Sequence, residues 1–180
     1  HLEYFASFFH LPREKFRRIF VGTDDQLFRP AAKKTPGFVV YVHGKYIPLQ
    51  GIDYVVQAAV LLQSYPITFR VLGRGQEYAR ISRVVSEFGL GHLELLDMVP
   101  YEKLPENIND ADVCLGIFGD SEKTLRVIPN KVVEYLACGK AVITADSPAV
   151  RELLTDGVNV RFCRAADSRD LAEKILELYE

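Results

Sequence analysis

The stretch VIPNKVVEYLACGKAVITAD, Val127–Asp146, reads as a loop end, a helix and a strand in direct succession. Pro129 and Asn130 form a start signal, because proline is tolerated where the first N–H groups of a helix have no intrahelical partner. Gly139 is the matching stop, and AVITA beyond it reads as a short buried strand. At helical spacing Val132, Val133, Leu136 and Ala137 share one face, which is expected to be the buried one, while Lys131 and Glu134 lie three residues apart on another. That polar face has two readings. One is a solvated salt pair, worth about 0.3 kcal/mol. The other is an ammonium and a carboxylate beside a helix N-terminus, where free N–H groups attract anions.

Working outward, the same alternation runs from Gly37 to the end of the chain. FVVYVHG, ITFRVLG, LELLD, DVCLGIF, AVITA and NVRFC are strand-like. IDYVVQAAVLLQSY, QEYARISRVVSEFG, YEKLPENINDA, the opening helix, PAVRELL and SRDLAEKILELYE lie between or after them as helical segments. The strands are continuous apolar runs rather than alternating ones, as expected when helices cover both faces of a parallel sheet. The expected fold is therefore α/β: a doubly wound, Rossmann-like parallel sheet. Its ligand edge lies where the strands' carboxyl ends open into loops. Three polar or glycine-rich loops fall on that edge, HGKYIPLQG, LGRGQE and FGDSEKTLRVIPNK.

Before Gly37 the pattern differs. HLEYFASFFHLPREKFRRIFVG reads as a helix end, a turn at Pro12 and a strand near residues 18–21, and TDDQLFRPAAKKTPG as a linker. The expected division is residues 1–36 as an appendage and 37–180 as the α/β domain.

Lysines and arginines number 22 against 24 acids, so nothing marks a nucleic-acid partner, and any anion site must be local. Cys114, Cys138 and Cys163 are odd in number and widely spaced, which argues against disulfides or zinc and for a reducing compartment. The histidines have no metal-ligand spacing, so no metal is expected. No apolar run has the length of a membrane-spanning helix.

Gly73-Arg74-Gly75 resembles half of a dinucleotide fingerprint, but position 78 is Tyr78, and the acid Asp97 is out of register. A tight strand-to-helix turn needing small residues is the favoured reading, and a nicotinamide-dependent dehydrogenase stays as an alternative. In HGKYIPLQG, Gly44 and Gly51 bracket a loop long enough to fold over a ligand, with Lys45 directly after the strand. In GDSEKTLRVIPNK, Lys123, Arg126 and Lys131 concentrate in one crossover loop ending at a helix N-terminus. Three cations and exposed N–H groups suit a diphosphate, and Glu134 suits the paired hydroxyls of a ribose. Together these preferences describe a nucleoside diphosphate, against the alternative of a merely solvated loop.

At this spacing most of the chain resembles the C-terminal, donor-binding half of GT-B fold glycosyltransferases, in particular glycosyltransferase family 4. VGTDDQLFRP looks like that family's hinge, with Gly22, Asp24, Phe28 and Pro30 at the expected places. YVHGKYIPLQGIDYVVQAA, FRVLGRGQE, VPYEKLPENINDADVCL and VVEYLACGKAVITADSPAVRELLTDGVNVRF, which includes Glu152, follow in the family's order. The resemblance implies a retaining, metal-independent enzyme without a cofactor that takes a UDP-sugar or GDP-sugar. Its acceptor would be bound by an N-terminal domain of the same full-length chain, of which residues 1–21 look like the last helix and strand. Alone, this chain is expected to bind donor and transfer nothing. The resemblance also implies a cytoplasmic enzyme of carbohydrate biosynthesis, with peripheral association at the membrane surface compatible with the longer protein.

It further implies roles. Lys45 takes the place of a phosphate-gripping arginine, and Gln50 that of an assisting lysine. Glu134 is the second glutamate of a paired-glutamate motif, holding the ribose. Val99 and Pro100 lie against the base, and Pro129, Asn130 and Lys131 face the diphosphate. Two positions depart: Gln50 replaces the lysine, and Arg126 replaces the first glutamate, eight positions before Glu134. Arg126 cannot accept a hydrogen bond from a sugar hydroxyl. The expectation is that Lys45, Lys123, Arg126 and Lys131 share the diphosphate, while Asp120 or Glu122 addresses the sugar. The alternative is a nucleotide-sugar-binding module that has lost catalysis.

Overall fold

Val39, Val40, Tyr41 and Val42 are all buried, as a strand covered on both faces requires. They form most of β1 (Phe38–His43) at the centre of a computed structural model that describes residues 2–180. In chain order the regular elements are α1 (Leu2–Phe8), β1, α2 (Ile52–Leu61), β2 (Ile67–Leu72), α3 (Tyr78–Glu87), β3 (Leu93–Leu96) and α4 (Leu104–Asn109). Then come β4 (Val113–Leu115), α5 (Asn130–Ala137), β5 (Ala141–Ala145), β6 (Arg161–Cys163) and α6 (Ser168–Tyr179). The six strands form one sheet in the order β3-β2-β1-β4-β5-β6, every neighbouring pair parallel.

Helices cover both faces, making the sheet a doubly wound Rossmann-like one. On one side Val55, Val56 and Ala59 of α2, Ile81 of α3 and Leu171 and Ile175 of α6 pack on Val40, Val42, Phe69 and Val71. On the other, Ile108 of α4 and Val132 and Tyr135 of α5 pack on Val39, Tyr41, Cys114 and Val142. All three cysteines are free and buried. No helix among the described residues is long and apolar enough to cross a membrane.

Residues 28–35 are fastened to the domain. Phe28 is buried among Ile108 and its neighbours. The Ala31 N–H donates to Asn109 Oδ1 at 2.9 Å, and the Lys34 and Thr35 N–H groups both donate to Asp110 Oδ1 at 2.7 Å. Leu27 packs partly against the same layer, but the described residues before 22 bury no side chain fully. α1 buries none of its side chains, and the rings of Tyr4, Phe5, Phe8 and Phe9 contact one another.

Three expectations need correction. Residues 18–21 form no strand, and Ile19 and Val21 are exposed, because an extended segment without a neighbouring edge has no ladder to join. PAVRELL forms only a 3-10 turn, Val150–Glu152, held by Ser147 Oγ accepting from the Val150 N–H at 3.3 Å. Third, α5 is rotated from the expected orientation, so that of the four aliphatic residues only Val132 is fully buried. Its buried residues are Lys131, Val132, Glu134 and Tyr135, whereas Val133, Leu136 and Ala137 stay half-buried. The exposed salt-pair reading of Lys131 and Glu134 falls with that orientation.

Candidate functional site

The strand order reverses between β1 and β4, whose next chain neighbours run to opposite edges of the sheet. The two carboxyl-end loops must diverge there, leaving a crevice. Loop 44–51 follows β1 and loop 116–129 follows β4, so the fold delivers both expected cationic loops to one crevice.

The walls are stitched backbone to backbone. The Tyr46 N–H donates to Arg74 O at 3.0 Å, and the Glu77 N–H to Tyr46 O at 3.1 Å. The Phe118 N–H donates to Gln50 O at 3.1 Å, and the Gly119 N–H to Leu49 O at 3.3 Å. Tyr46 anchors the loop from beneath, fully buried, with its hydroxyl donating to Val71 O at 3.1 Å. This packing accounts for Gly73 and Gly75. A Cβ on Gly73 would sit 1.9 Å from Gly44 O, and one on Gly75 would sit 2.6 Å from the Tyr46 backbone. Both glycines are required by loop contact, the simpler of the two readings of GRG.

Lys131 enters the crevice from the first turn of α5 and is only 6% exposed. Its Nζ donates to Gln50 Oε1 and, at 3.3 Å, to Gly116 O. Gly44 lies alongside, where a Cβ would stand 3.2 Å from the ammonium. Lys131 forms no ion pair among the described residues, so this buried cation has neutral partners only. Burial pushes the ammonium down to about 7, against the opposing pull of Glu134.

Glu134 stands one turn further on, 7% exposed. Tyr101 Oη donates to its Oε1 at 3.2 Å, and His43 Nε2 lies 3.2 Å from its Oε2. His43 ends β1, and its Nδ1 lies 3.2 Å from Tyr135 Oη. Burial lowers the His43 imidazole below its ordinary value, although its hydrogen bond to Glu134 raises it; the Lys131 charge acts with burial.

Of the residues marked in the sequence, Gly44, Gln50, Lys131 and Glu134 meet in the crevice. Lys45 is exposed on its loop and forms no ion pair among the described residues. Pro129 is the N-cap of α5 and Asn130 its first residue. No side chain caps that end, and no acid occupies its first turn. Val99 is half-buried against the α4–α5 layer, and Pro100 is exposed beside it.

Other expected residues lie elsewhere. Arg126 is exposed and bonded to Glu122 at 2.6 Å, and it lines a separate groove with Phe16, Ile19 and Val133. Glu122 is thereby engaged by Arg126 and not by the crevice. Lys123 and Asp120 are exposed on the same loop. His43, Tyr101, Tyr135 and the Gly116 carbonyl went unmarked. The only sequence signal for His43 was its place at a strand's carboxyl end, directly before Gly44.

The depressed Lys131 ammonium has a stability consequence. Its folded pKa lies below the ordinary lysine value near 10.4, so between the two the unfolded chain binds more protons, and stability climbs with pH. The buried thiols and phenols are raised and act oppositely above about pH 8.5. Between pH 7 and 8.5 the urea midpoint should therefore rise in the wild type and rise less in Lys131→Met. Superimposable pH profiles would mean that the ammonium is not desolvated.

The chain resembles several known proteins. The profile of the family described as Glycosyl transferases group 1 matches residues 37–180. An uncharacterized glycosyltransferase of Methanocaldococcus jannaschii is 29% identical over 135 residues, covering 75% of this chain and 36% of that protein. The chain thus spans about a third of that relative's length. Among solved structures, Alr3699/HepE of Anabaena in complex with UDP and glucose superposes with a TM-score of 0.75 at 21% identity, over 94% of this chain and 49% of the other. The C-terminal domain of a glycosyl transferase group 1 family protein, LpcC of Francisella tularensis, gives 0.72 at 21% identity, over 88% of each chain. With a six-stranded parallel sheet shared with GT-B structures and a family match over its whole α/β region, this chain belongs to the Glycosyl transferases group 1 family.

Proposed function

We propose that residues 37–180 are the donor-binding half of a retaining, metal-independent glycosyltransferase. It would move a sugar from a UDP-sugar or GDP-sugar to an acceptor held by another domain of the same longer chain, to which residues 1–36 would connect. The observation that carries this reading is the buried Lys131 ammonium, which lies in the switch-point crevice and, among the described residues, has only neutral hydrogen-bond partners. A buried charge in no ion pair, eased only by the more distant Glu134 carboxylate, is destabilising, and a ligand anion relieves it.

When the anomeric carbon–oxygen bond breaks, negative charge builds on the departing diphosphate. Lys131, the exposed Lys45 and the uncapped N-terminus of α5 would stabilise that charge as fixed electrostatics. The chain then supplies the positive charge that a metal ion supplies elsewhere. Glu134 would accept hydrogen bonds from the ribose, with Val99 and Pro100 against the base. The UDP bound by Alr3699/HepE supports this ligand class without fixing the base.

A second reading, a binding module without catalysis, is favoured by Arg126, which stands where the resemblance expects a carboxylate and is bonded to Glu122. Turnover by the longer protein, with and without Lys45→Ala, separates the two.

Titration with UDP, GDP and ADP, followed by backbone chemical shifts, tests the shared part. Shifts should concentrate at residues 44–51, 99–101, 116–119 and 129–134 for one of the diphosphates. Shifts confined to the groove lined by Arg126, or no saturable shift at all, would sink it.

A further inference from the structure

Four hydrogen-bonding groups around Glu134 leave one consistent arrangement. The His43 backbone N–H donates to Tyr135 Oη at 3.2 Å, so that hydroxyl is already an acceptor. Its own hydrogen is free to go to His43 Nδ1, also at 3.2 Å. With Nδ1 an acceptor, the proton of a neutral imidazole sits on Nε2 and points at Glu134 Oε2, 3.2 Å away. Tyr101 Oη donates to the other oxygen, Oε1, at the same distance.

Each carboxylate oxygen therefore has one protein donor from a different direction, and rotation of the carboxylate would break both bonds. Each oxygen also keeps acceptor capacity, since a carboxylate offers about four lone-pair sites. Two oxygens fixed side by side, each able to take one more hydrogen, match two neighbouring hydroxyls on a five-membered ring.

We propose that His43, oriented by Tyr135, is the positioning residue that locks Glu134 as a two-point acceptor for a vicinal diol, so that the crevice selects ribonucleotides over 2′-deoxyribonucleotides. This rests on the reading of the crevice as a nucleoside diphosphate site and adds how it discriminates between sugars. A fixed acceptor pair rejects the deoxy analogue because one charged oxygen is left without the hydrogen it was placed to receive, a deficit on the order of 10-fold to 100-fold in affinity. A carboxylate free to rotate can re-pair or meet water, and most of that discrimination is lost.

The test is the affinity ratio between UDP and 2′-deoxy-UDP, with the guanosine pair in parallel, for wild type, His43→Phe, His43→Gln and Tyr135→Phe. The wild type should prefer the ribonucleotide by about 10-fold or more. In His43→Phe the ratio should fall to about 2-fold or less, with ribonucleotide binding weakened and the deoxy affinity not weakened. His43→Gln, whose amide N–H can occupy the Nε2 position, should restore most of the ratio. Tyr135→Phe frees the tautomer and should lower the ratio even if His43→Phe fails to fold.

A wild-type ratio kept in His43→Phe and Tyr135→Phe would overturn the positioning role, as would equal weakening of both nucleotides, the mark of a merely structural residue. Ribonucleotide binding with no discrimination in the wild type would overturn the diol reading of Glu134 while leaving the diphosphate reading intact. Absence of any diphosphate binding would remove both.

Discussion

Lys131→Met is expected to weaken nucleoside diphosphate binding by on the order of 100-fold or more while making the protein more stable. The two effects share one cause. The ammonium is 6% exposed, and among the described residues it hydrogen-bonds only to the Gln50 carboxamide and the Gly116 carbonyl. Removing a desolvated charge that is in no ion pair gains stability, and the hydrogen bonds lost to Gln50 and Gly116 offset only part of that gain. The bound state loses a charge-assisted contact made in a desolvated crevice, where truncating one partner costs about 2–5 kcal/mol. Calorimetric titration and urea denaturation of the same variant check both signs. A stable variant with unchanged affinity would remove Lys131 from the ligand site. A destabilised variant would mean that the lysine is structural.

Gly73→Ala should have the largest effect on stability, about 3–5 kcal/mol. A methyl there would stand 1.9 Å from Gly44 O, and both flanking loops carry backbone hydrogen bonds that keep them from separating. The residue also has a φ of +142°, a region that L side chains rarely adopt. Gly89→Ala is the control, because Gly89 also has positive φ, +59°, but a Cβ there meets nothing within 4 Å. It should lose only about 1 kcal/mol. Equal losses in the two variants would assign the effect to backbone strain and not to contact between loops. If Gly73→Ala folds, it should also bind nucleotide poorly, since the loop it displaces carries Gln50 against Lys131.

The α/β alternation was legible because covered parallel strands write themselves as unbroken apolar runs. FVVYVH and AVITA could be placed within a residue or so. The segment 18–21 was misread for a reason internal to strands: its composition suits an extended chain, but a strand exists only with a partner. The crevice was legible in part. Lys131 and Glu134 stood out as polar residues on an otherwise aliphatic helix, and Gln50 as a neutral residue where a cation was expected. Arg126 was grouped with Lys131 because they share a loop, yet the chain is extended at Val127 and Pro129 between them, and Arg126 is directed to Glu122.

Local order along the chain, then, was set by periodicity, by glycine and proline punctuation and by apolar content, all of which act between residues close in sequence. Which face of α5 turns inward was decided by the assembled sheet. Val133, Leu136 and Ala137 argued for a face that stays half-buried. The end of β1 and the loop after it offered the glutamate His43, 91 positions distant, and the lysine Gln50, 81 positions distant in sequence. Such partners become neighbours only when the strand order is fixed. The pairing of His43, Tyr101 and Tyr135 around Glu134 therefore belongs to the tertiary structure alone.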